Sequence, residues 1–381
     1  MSQLLQVVAA LTRASQQHEV SVLATVVRTE GSTYRRLGAR LVAFPDGSQV
    51  GGVSAGCIES DVLLRAERVR DTGAVELATY NTSSPEDLIW GSGTACGGMS
   101  QLLLEPLDSA QAAAKATWLR DVAELRRRNV LATVIRTSAG VPLEPGDQAV
   151  LPHAGARLIG FEALPARFRL NVEATARRRL EAQSSSAVSH AWADQELDLA
   201  YEVRSPRLHL CVCGVGPDAV PLVTIARLMG WRVTLIDHRP AMLSSPHWAE
   251  VGRILLRSPA DAAGAIERAD PDAAVVISHN YQRDLVHLGA LLAAGIVYVG
   301  VLGPRRRTRQ MLDELKASEA DAAGLYAPVG LDIGAETPEE IALAIVAEVQ
   351  AVSAGRPGAP LRERPGPIHH ESLVLESAGS Q

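Results

Sequence analysis

The chain has 381 residues, a formal net charge of -6 and only four cysteines. That length suits two domains of roughly 100–200 residues each. The mild acidity, with no basic face, argues against a nucleic-acid surface, and so few cysteines argue against a disulfide scaffold and for a reducing compartment.

The N-terminal stretch has no basic start or small-residue cleavage site; Leu4, Leu5, Val8 and Leu11 recur at the spacing of an amphipathic helix. A strand over Val20–Arg28 follows and runs into the turn Thr29-Glu30-Gly31-Ser32. The runs ARLVAF and SQVGGV flank Pro45-Asp46-Gly47, and Asp-Gly between apolar runs signals a hairpin. A helix is expected over Ile58–Arg70, with Gly73 just past its end. Strands at Val75–Tyr80 and Met99–Glu105 flank a Gly-rich loop. The helix Ala110–Arg128 and the strand Val130–Arg136 open a second unit. LATVIRT of 131–137 nearly repeats LATVVRT of 23–29, a likeness that duplication or chance can give to two buried strands. Residues 181–206 mix Ser, Ala and acids and read as a boundary at Ser205-Pro206. The longest apolar stretch, Leu288–Gly303, is broken by Gly295 and Gly300 and is shorter than the roughly 18–20 residues of a membrane span. These features place the protein in the cytoplasm, away from membranes. Residues 355–381 hold prolines without period and read as a disordered tail, with His369-His370 solvated.

From Leu208–Cys213 onward the pattern is Rossmann-like. This short apolar strand is followed by Gly214-Val215-Gly216-Pro217-Asp218-Ala219, the G-x-G-x-x-A form of the dinucleotide fingerprint. The first glycine permits the turn, the second lets a phosphate approach, and the small third residue lets helix and strand pack. The next strand, Trp231–Ile236, ends at Asp237, where a ribose-hydroxyl partner belongs. Further strands at Arg253–Leu256, Ala274–Ser278 and Ile296–Val301 complete the alternation. Gly214, Asp237, His279 and Arg305 fall at strand ends, where such sheets bind ligands. Each also has a structural reading: Asp237 as a turn cap, His279 as a loop hydrogen-bonder, Arg305–Arg307 as solvated charges. Cys211 and Cys213 share one strand face and read as packing.

Two other cysteines sit among glycines. Cys57, in Ser54-Ala55-Gly56-Cys57-Ile58-Glu59, lies at a helix start, a setting that favours the thiolate, which binds soft metals or attacks sulfur. Cys96, in Gly91-Ser92-Gly93-Thr94-Ala95-Cys96-Gly97-Gly98, lies where the backbone has room to approach a ligand. Both also fit as small residues beside tight turns.

Taken together, these motifs resemble the XdhC/CoxI family of accessory proteins for molybdenum hydroxylases. The likeness runs through Glu30–Arg40, Ala55–Glu59, Asp87–Gly98, Gly214–Ala219, Val233–Arg239, His279, Gly300–Arg307 and Ile333–Ile341. Ala55 and Ala95 stand where the family more often has glycine. The resemblance implies an N-terminal mixed α+β domain over 1–205 and a C-terminal Rossmann-like parallel-sheet domain over 206–354. It also implies a cofactor-insertion chaperone rather than a catalyst, which binds sulfurated molybdenum cofactor and delivers it to an apo-hydroxylase of the xanthine dehydrogenase type. A cysteine desulfurase and a second copy of the chain are further partners on this view. The implied contact residues are Gly31, Ser32, Cys57, Glu59, Cys96, Gly97, Gly214, Gly216, Asp237, His279 and Arg305, with Cys57 and Cys96 touching molybdenum. Two alternatives stay open: an NAD(P)-dependent oxidoreductase using the Gly214 fingerprint, and a thiol-based sulfur-transfer protein.

Overall fold

The structure is a computed structural model that describes residues 3–81, 98–192, 194–249, 251–256 and 258–364. The expected tail beyond residue 364, and Cys96 and Gly97, lie outside the described residues. The chain forms two compact units that divide between Pro206 and Arg207.

The N-terminal unit begins with helix α1 (Gln3–Gln16), then β1 (Ser21–Gly31), β2 (Arg40–Ala43), β3 (Gln49–Gly51), α2 (Glu59–Thr72), β4 (Glu76–Asn81) and β5 (Gly98–Leu107). These strands make an antiparallel sheet of order β3-β2-β1-β5-β4. β1 is central, and both its faces are covered. Leu23 packs with α1, and Val22, Ala24 and Val26 pack under α2, which is why the strand reads as one apolar run. The Asp46 side chain accepts from Ser48 N at 2.8 Å and closes the expected hairpin. Gly73 ends α2 in the left-handed conformation, φ +66°, where a side chain would cost strain.

A second set follows: α3 (Ser109–Glu124), β6 (Asn129–Thr137), β7 (Gln148–Leu151), α4 (Ala166–Ala182), β8 (Ser186–Trp192) and β9 (Gln195–Arg204). Its sheet has the order β7-β6-β9-β8, matching β2-β1-β5-β4. α3 stops at Glu124, short of the expected Arg128, because Asn129 must already be extended to pair with Arg204. The segment 186–204, for which the sequence suggested no element, is a two-strand hairpin.

The two sets correspond in detail. β1 and β6 carry a bulge at the same place, between Val26 and Arg28 and between Val134 and Arg136. One shared core takes matched residues from each: Leu11 with Leu119, Leu23 with Leu131, Val42 with Val150. The sets also interlock through carboxylates. Glu202 on β9 pairs with buried Arg40 at 2.7 Å and fills the space beside Gly38. Its counterpart Glu105 on β5 pairs with Lys115 at 2.8 Å and fills the space beside Gly146. LATVVRT and LATVIRT are therefore matching strands of a repeated α-β-β-α-β-β unit.

The C-terminal unit is an α/β sandwich around a six-stranded sheet of order β12-β11-β10-β13-β14-β15, parallel throughout. Its strands are β10 (His209–Cys213), β11 (Arg232–Asp237), β12 (Gly252–Leu255), β13 (Ala273–Val276), β14 (Tyr298–Val301) and β15 (Leu325–Tyr326). Its helices are α5 (Ala219–Leu228), α6 (Pro240–Leu243), α7 (Ala262–Ala269), α8 (Tyr281–Ala293), α9 (Arg305–Leu315) and α10 (Pro338–Ser353). α5 and α10 cover the face built on Leu210 and Val212. α7, α8 and α9 cover the other, where Cys211 and Cys213 are fully buried. This is the doubly wound Rossmann topology. Among the described residues, no helix of either unit is long and apolar enough to cross a membrane.

Candidate functional site

In the N-terminal unit, a shallow pocket forms at the end of β1, lined by Thr33, Tyr34, Arg35, Ser54, Cys57 and Tyr80. β1 and β5 pair to their ends, with Gly31 opposite Gly98. Gly98 also lines the pocket, and a Cβ there would lie 2.4 Å from the carbonyl oxygen of Ser32, so only glycine lets the two backbones meet. The structure thus gathers Gly31, Ser32 and Cys57 at one place. Cys96 and Gly97 immediately precede Gly98 in sequence.

The half-buried Cys57 sits two residues before α2, whose first residue is Glu59. Glu59 is 8 % exposed. Its Oε1 accepts from Ser54 N at 2.8 Å and Val53 N at 3.3 Å. Its Oε2 accepts from Gly56 N at 3.0 Å and from the Ser54 hydroxyl. The Ser54 Oγ in turn accepts from Gly56 N at 3.0 Å and Ile58 N at 3.4 Å. Burial pushes the Glu59 carboxyl up, but the Ser54 and Val53 hydrogen bonds outweigh it, and the group stays ionised below the usual carboxylate range.

The pocket has an aromatic wall and a cationic lip. The Tyr80 hydroxyl donates to Asp61 at 2.7 Å; burial and this bond push it well above the usual phenol range, so it stays protonated. Arg65 joins Asp61 and Glu76, each at 2.6 Å. Arg35 is exposed, with its guanidinium carbon 5.6 Å from the Tyr34 ring centre. A planar cation beside an exposed ring suits an anionic, partly aromatic ligand. Tyr34, Arg35, Ser54 and Tyr80 do not stand out in the sequence as contacts, although Thr33-Tyr34-Arg35 directly follows the Gly31-Ser32 turn.

In the C-terminal unit, Gly214, Asp237 and His279 lie at or just past the carboxyl ends of β10, β11 and β13. Gly214 has φ +90°, and a Cβ there would lie 2.4 Å from the Ser278 backbone, whereas a Cβ on Gly216 would meet open space. His279 adopts φ +57°, and its Nε2 lies 2.8 Å from Asp218 Oδ2, at the start of α5. Arg305 and Arg306 are exposed at the start of α9, while Arg307 binds buried Asp284 at 2.6 Å.

Asp237 takes the turn-capping role that the sequence left open beside a ribose contact. Its Oδ2 accepts from Val215 N at 2.7 Å and Arg239 Nη2 at 2.8 Å. Its Oδ1 accepts from Arg239 N at 2.8 Å and Arg239 Nε at 3.0 Å. Arg239 Nη2 also donates to Val215 O at 2.6 Å. The carboxyl is nearly inaccessible, and although burial raises its pKa, the Arg239 and Val215 hydrogen bonds bring it down to about 2. A ribose diol needs that carboxylate as a free acceptor. These residues do not fit that contact while Arg239 holds it. The Asp237-x-Arg239 spacing was the available signal.

These features define a protein with a thiol-bearing pocket on a duplicated α+β unit, followed by a Rossmann unit. Residues 14–81 match the XdhC and CoxI family, and residues 210–349 match the XdhC Rossmann domain. The chain is 30 % identical over 339 residues to a probable xanthine dehydrogenase subunit of Bacillus subtilis (strain 168), covering 88 % of this chain and 93 % of that protein. It is 25 % identical to the molybdenum cofactor insertion chaperone PaoD of Escherichia coli (strain K12), covering 87 % of this chain and 83 % of PaoD. A crystal structure of a xanthine dehydrogenase from Bacillus halodurans superposes with a TM-score of 0.68 at 27 % identity, over 96 % of this chain and 98 % of that one. The chain belongs to the XdhC/CoxI family.

Proposed function

We propose that this chain is an accessory factor that binds molybdenum cofactor in the Cys57 pocket and passes it to an apo molybdenum hydroxylase of the xanthine dehydrogenase type, in the cytoplasm. The carrying observation is the pocket itself, which sets a half-buried thiol beside Tyr34, Arg35 and Tyr80. That chemistry suits a pterin dithiolene with a phosphate: a soft sulfur for the metal, rings for the pterin, a guanidinium for the anion. Cys96 and Gly97, just before pocket-lining Gly98, are assigned to the same cargo. The names of the B. subtilis and E. coli relatives point the same way. Sulfuration of the cargo by a cysteine desulfurase belongs to this proposal, as a step preceding delivery. A dehydrogenase reading gains nothing from the C-terminal strand ends, where Asp237 is already occupied.

The test is purification from a cofactor-replete host with molybdenum and pterin quantified. About one cofactor per chain is expected for a single pocket of this kind. Pterin no higher than that on an unrelated control protein would overturn the reading.

A further inference from the structure

Building on the reading of the Cys57 pocket as the cargo site, we propose that Glu59 is the positioning residue for Cys57. It fixes the 53–58 loop so that the thiol faces the pocket, and it does not touch the cargo.

A carboxylate offers about four acceptor positions, and all four contacts of Glu59 go to its own loop: the amides of Val53, Ser54 and Gly56 and the Ser54 hydroxyl. Little acceptor capacity is left for a ligand. The anchor is rigid, because Glu59 opens α2, which is held in the core by Val62, Ala66 and Val69. A carboxylate there is also favoured by the helix dipole. The loop's other ties are Val53 and Ile58, buried at its two ends, and the Ser54 Oγ, itself held by Glu59, which accepts from Gly56 N and Ile58 N. Gly56 sits at φ +108° with open space where a Cβ would be, and Ala55 brings no polar side chain. The matching segment of the second repeat closes differently. There Phe161 and Leu164 are buried in the core before α4, and the carboxylate bonds to the loop come from two other residues, Glu162 accepting from Gly160 N and Glu173 from Leu158 N, each at 2.9 Å.

Glutamine at this position keeps the size but points an amide NH2 at N–H and O–H donors, so about half the contacts are lost. The experiment uses the full chain with Glu59→Gln, and Glu59→Asp as the milder variant that keeps the charge but shortens its reach. Peptide-resolved hydrogen exchange over 53–58 and the rate of Cys57 alkylation by iodoacetamide are measured without cargo. Binding of molybdopterin released from a purified molybdenum hydroxylase is measured beside Cys57→Ala.

In Glu59→Gln the loop amides are expected to exchange about tenfold faster or more, the scale of losing hydrogen bonds to a charged group. The alkylation rate should change with them. Molybdopterin affinity should fall by as much as in Cys57→Ala, with Glu59→Asp between the variant and the wild type. Unchanged exchange and alkylation overturn the proposal. So does weakened molybdopterin binding with the loop unchanged, which makes Glu59 a direct contact. If the loop loosens but neither Glu59→Gln nor Cys57→Ala alters molybdopterin binding, the pocket reading fails while the positioning role stands.

Discussion

Asp237→Asn separates a structural carboxylate from a nucleotide contact. The folded state holds this group at about 2 against an ordinary value of 3.8, and every tenfold change in proton affinity corresponds to about 1.4 kcal/mol. The ionised carboxylate therefore contributes about 2 kcal/mol to the C-terminal unit. Because the folded value is depressed, that stability is fully present above about pH 4 and is lost as pH falls through about 2. Asparagine still accepts from Val215 N but cannot match the charge of Arg239. The expected loss is about 2 kcal/mol at pH 7, shrinking towards zero as both proteins are taken below pH 4. Denaturant unfolding followed by hydrogen exchange of β10 and β11 amides reads this directly. A fluorescence titration with NADH should show no binding that depends on Asp237. An unchanged unfolding midpoint at pH 7, a difference independent of pH, or micromolar NADH binding abolished by Asp237→Asn would refute the reasoning.

Three further outcomes follow from the N-terminal unit. Glu202→Ala strands the Arg40 side chain, 3 % exposed, and should cost about 3 kcal/mol as a broken buried pair, read by thermal unfolding. Gly98→Ala forces a methyl group against the Ser32 and Glu30 carbonyl oxygens; a loss of about 1–3 kcal/mol and weaker pterin retention are expected, checked by calorimetry and pterin content. Cys57→Ala should lower molybdopterin affinity by about tenfold or more, the scale of losing a metal-site contact, with the melting midpoint unchanged; Cys57→Ser should fail equally, since a hydroxyl is a poor partner for a soft metal.

The legible parts of this molecule are those whose signals are local. The β10 strand, the Gly214–Ala219 turn and the α5 helix are specified by adjacent residues, and so are the Asp46-Gly47 hairpin and the Gly73 stop of α2. The 186–204 hairpin was not legible, because β8 is an edge strand of mixed Ser, Ala and His residues, and the burial of His190 is set by Tyr201 on the neighbouring strand. Asp237 was placed at the right strand end, but its partner decides its role, and Arg239 two residues on competes with any ligand. The Cys57 pocket was half legible. The thiol and Gly31-Ser32 stand out in sequence, whereas Tyr80 reaches the pocket only because β4 pairs with β5.

The repeat bears on the Cys57 pocket, whose lining comes from the first copy of the N-terminal unit. Each copy supplies a central strand, a helix behind it and a carboxylate that locks the other copy, so losing Glu105 or Glu202 leaves the partner's cation buried and unpaired. That reciprocity keeps both copies folded whatever their loops carry. The loops are where the copies part. Between the last two strands the first copy has the long segment from Asn81 to Gly98, holding Cys96, while the second turns directly from Trp192 to Gln195. Before the second helix the first copy has Ser54, Cys57 and Glu59, while the second has buried Phe161 and Leu164. Ordering a loop that holds a glycine at positive φ, as Gly56 does, costs backbone entropy. The second copy offsets that cost through the shared core of Leu23, Leu131, Val42 and Val150. The Cys57 pocket is thereby carried on a unit whose core both copies hold together.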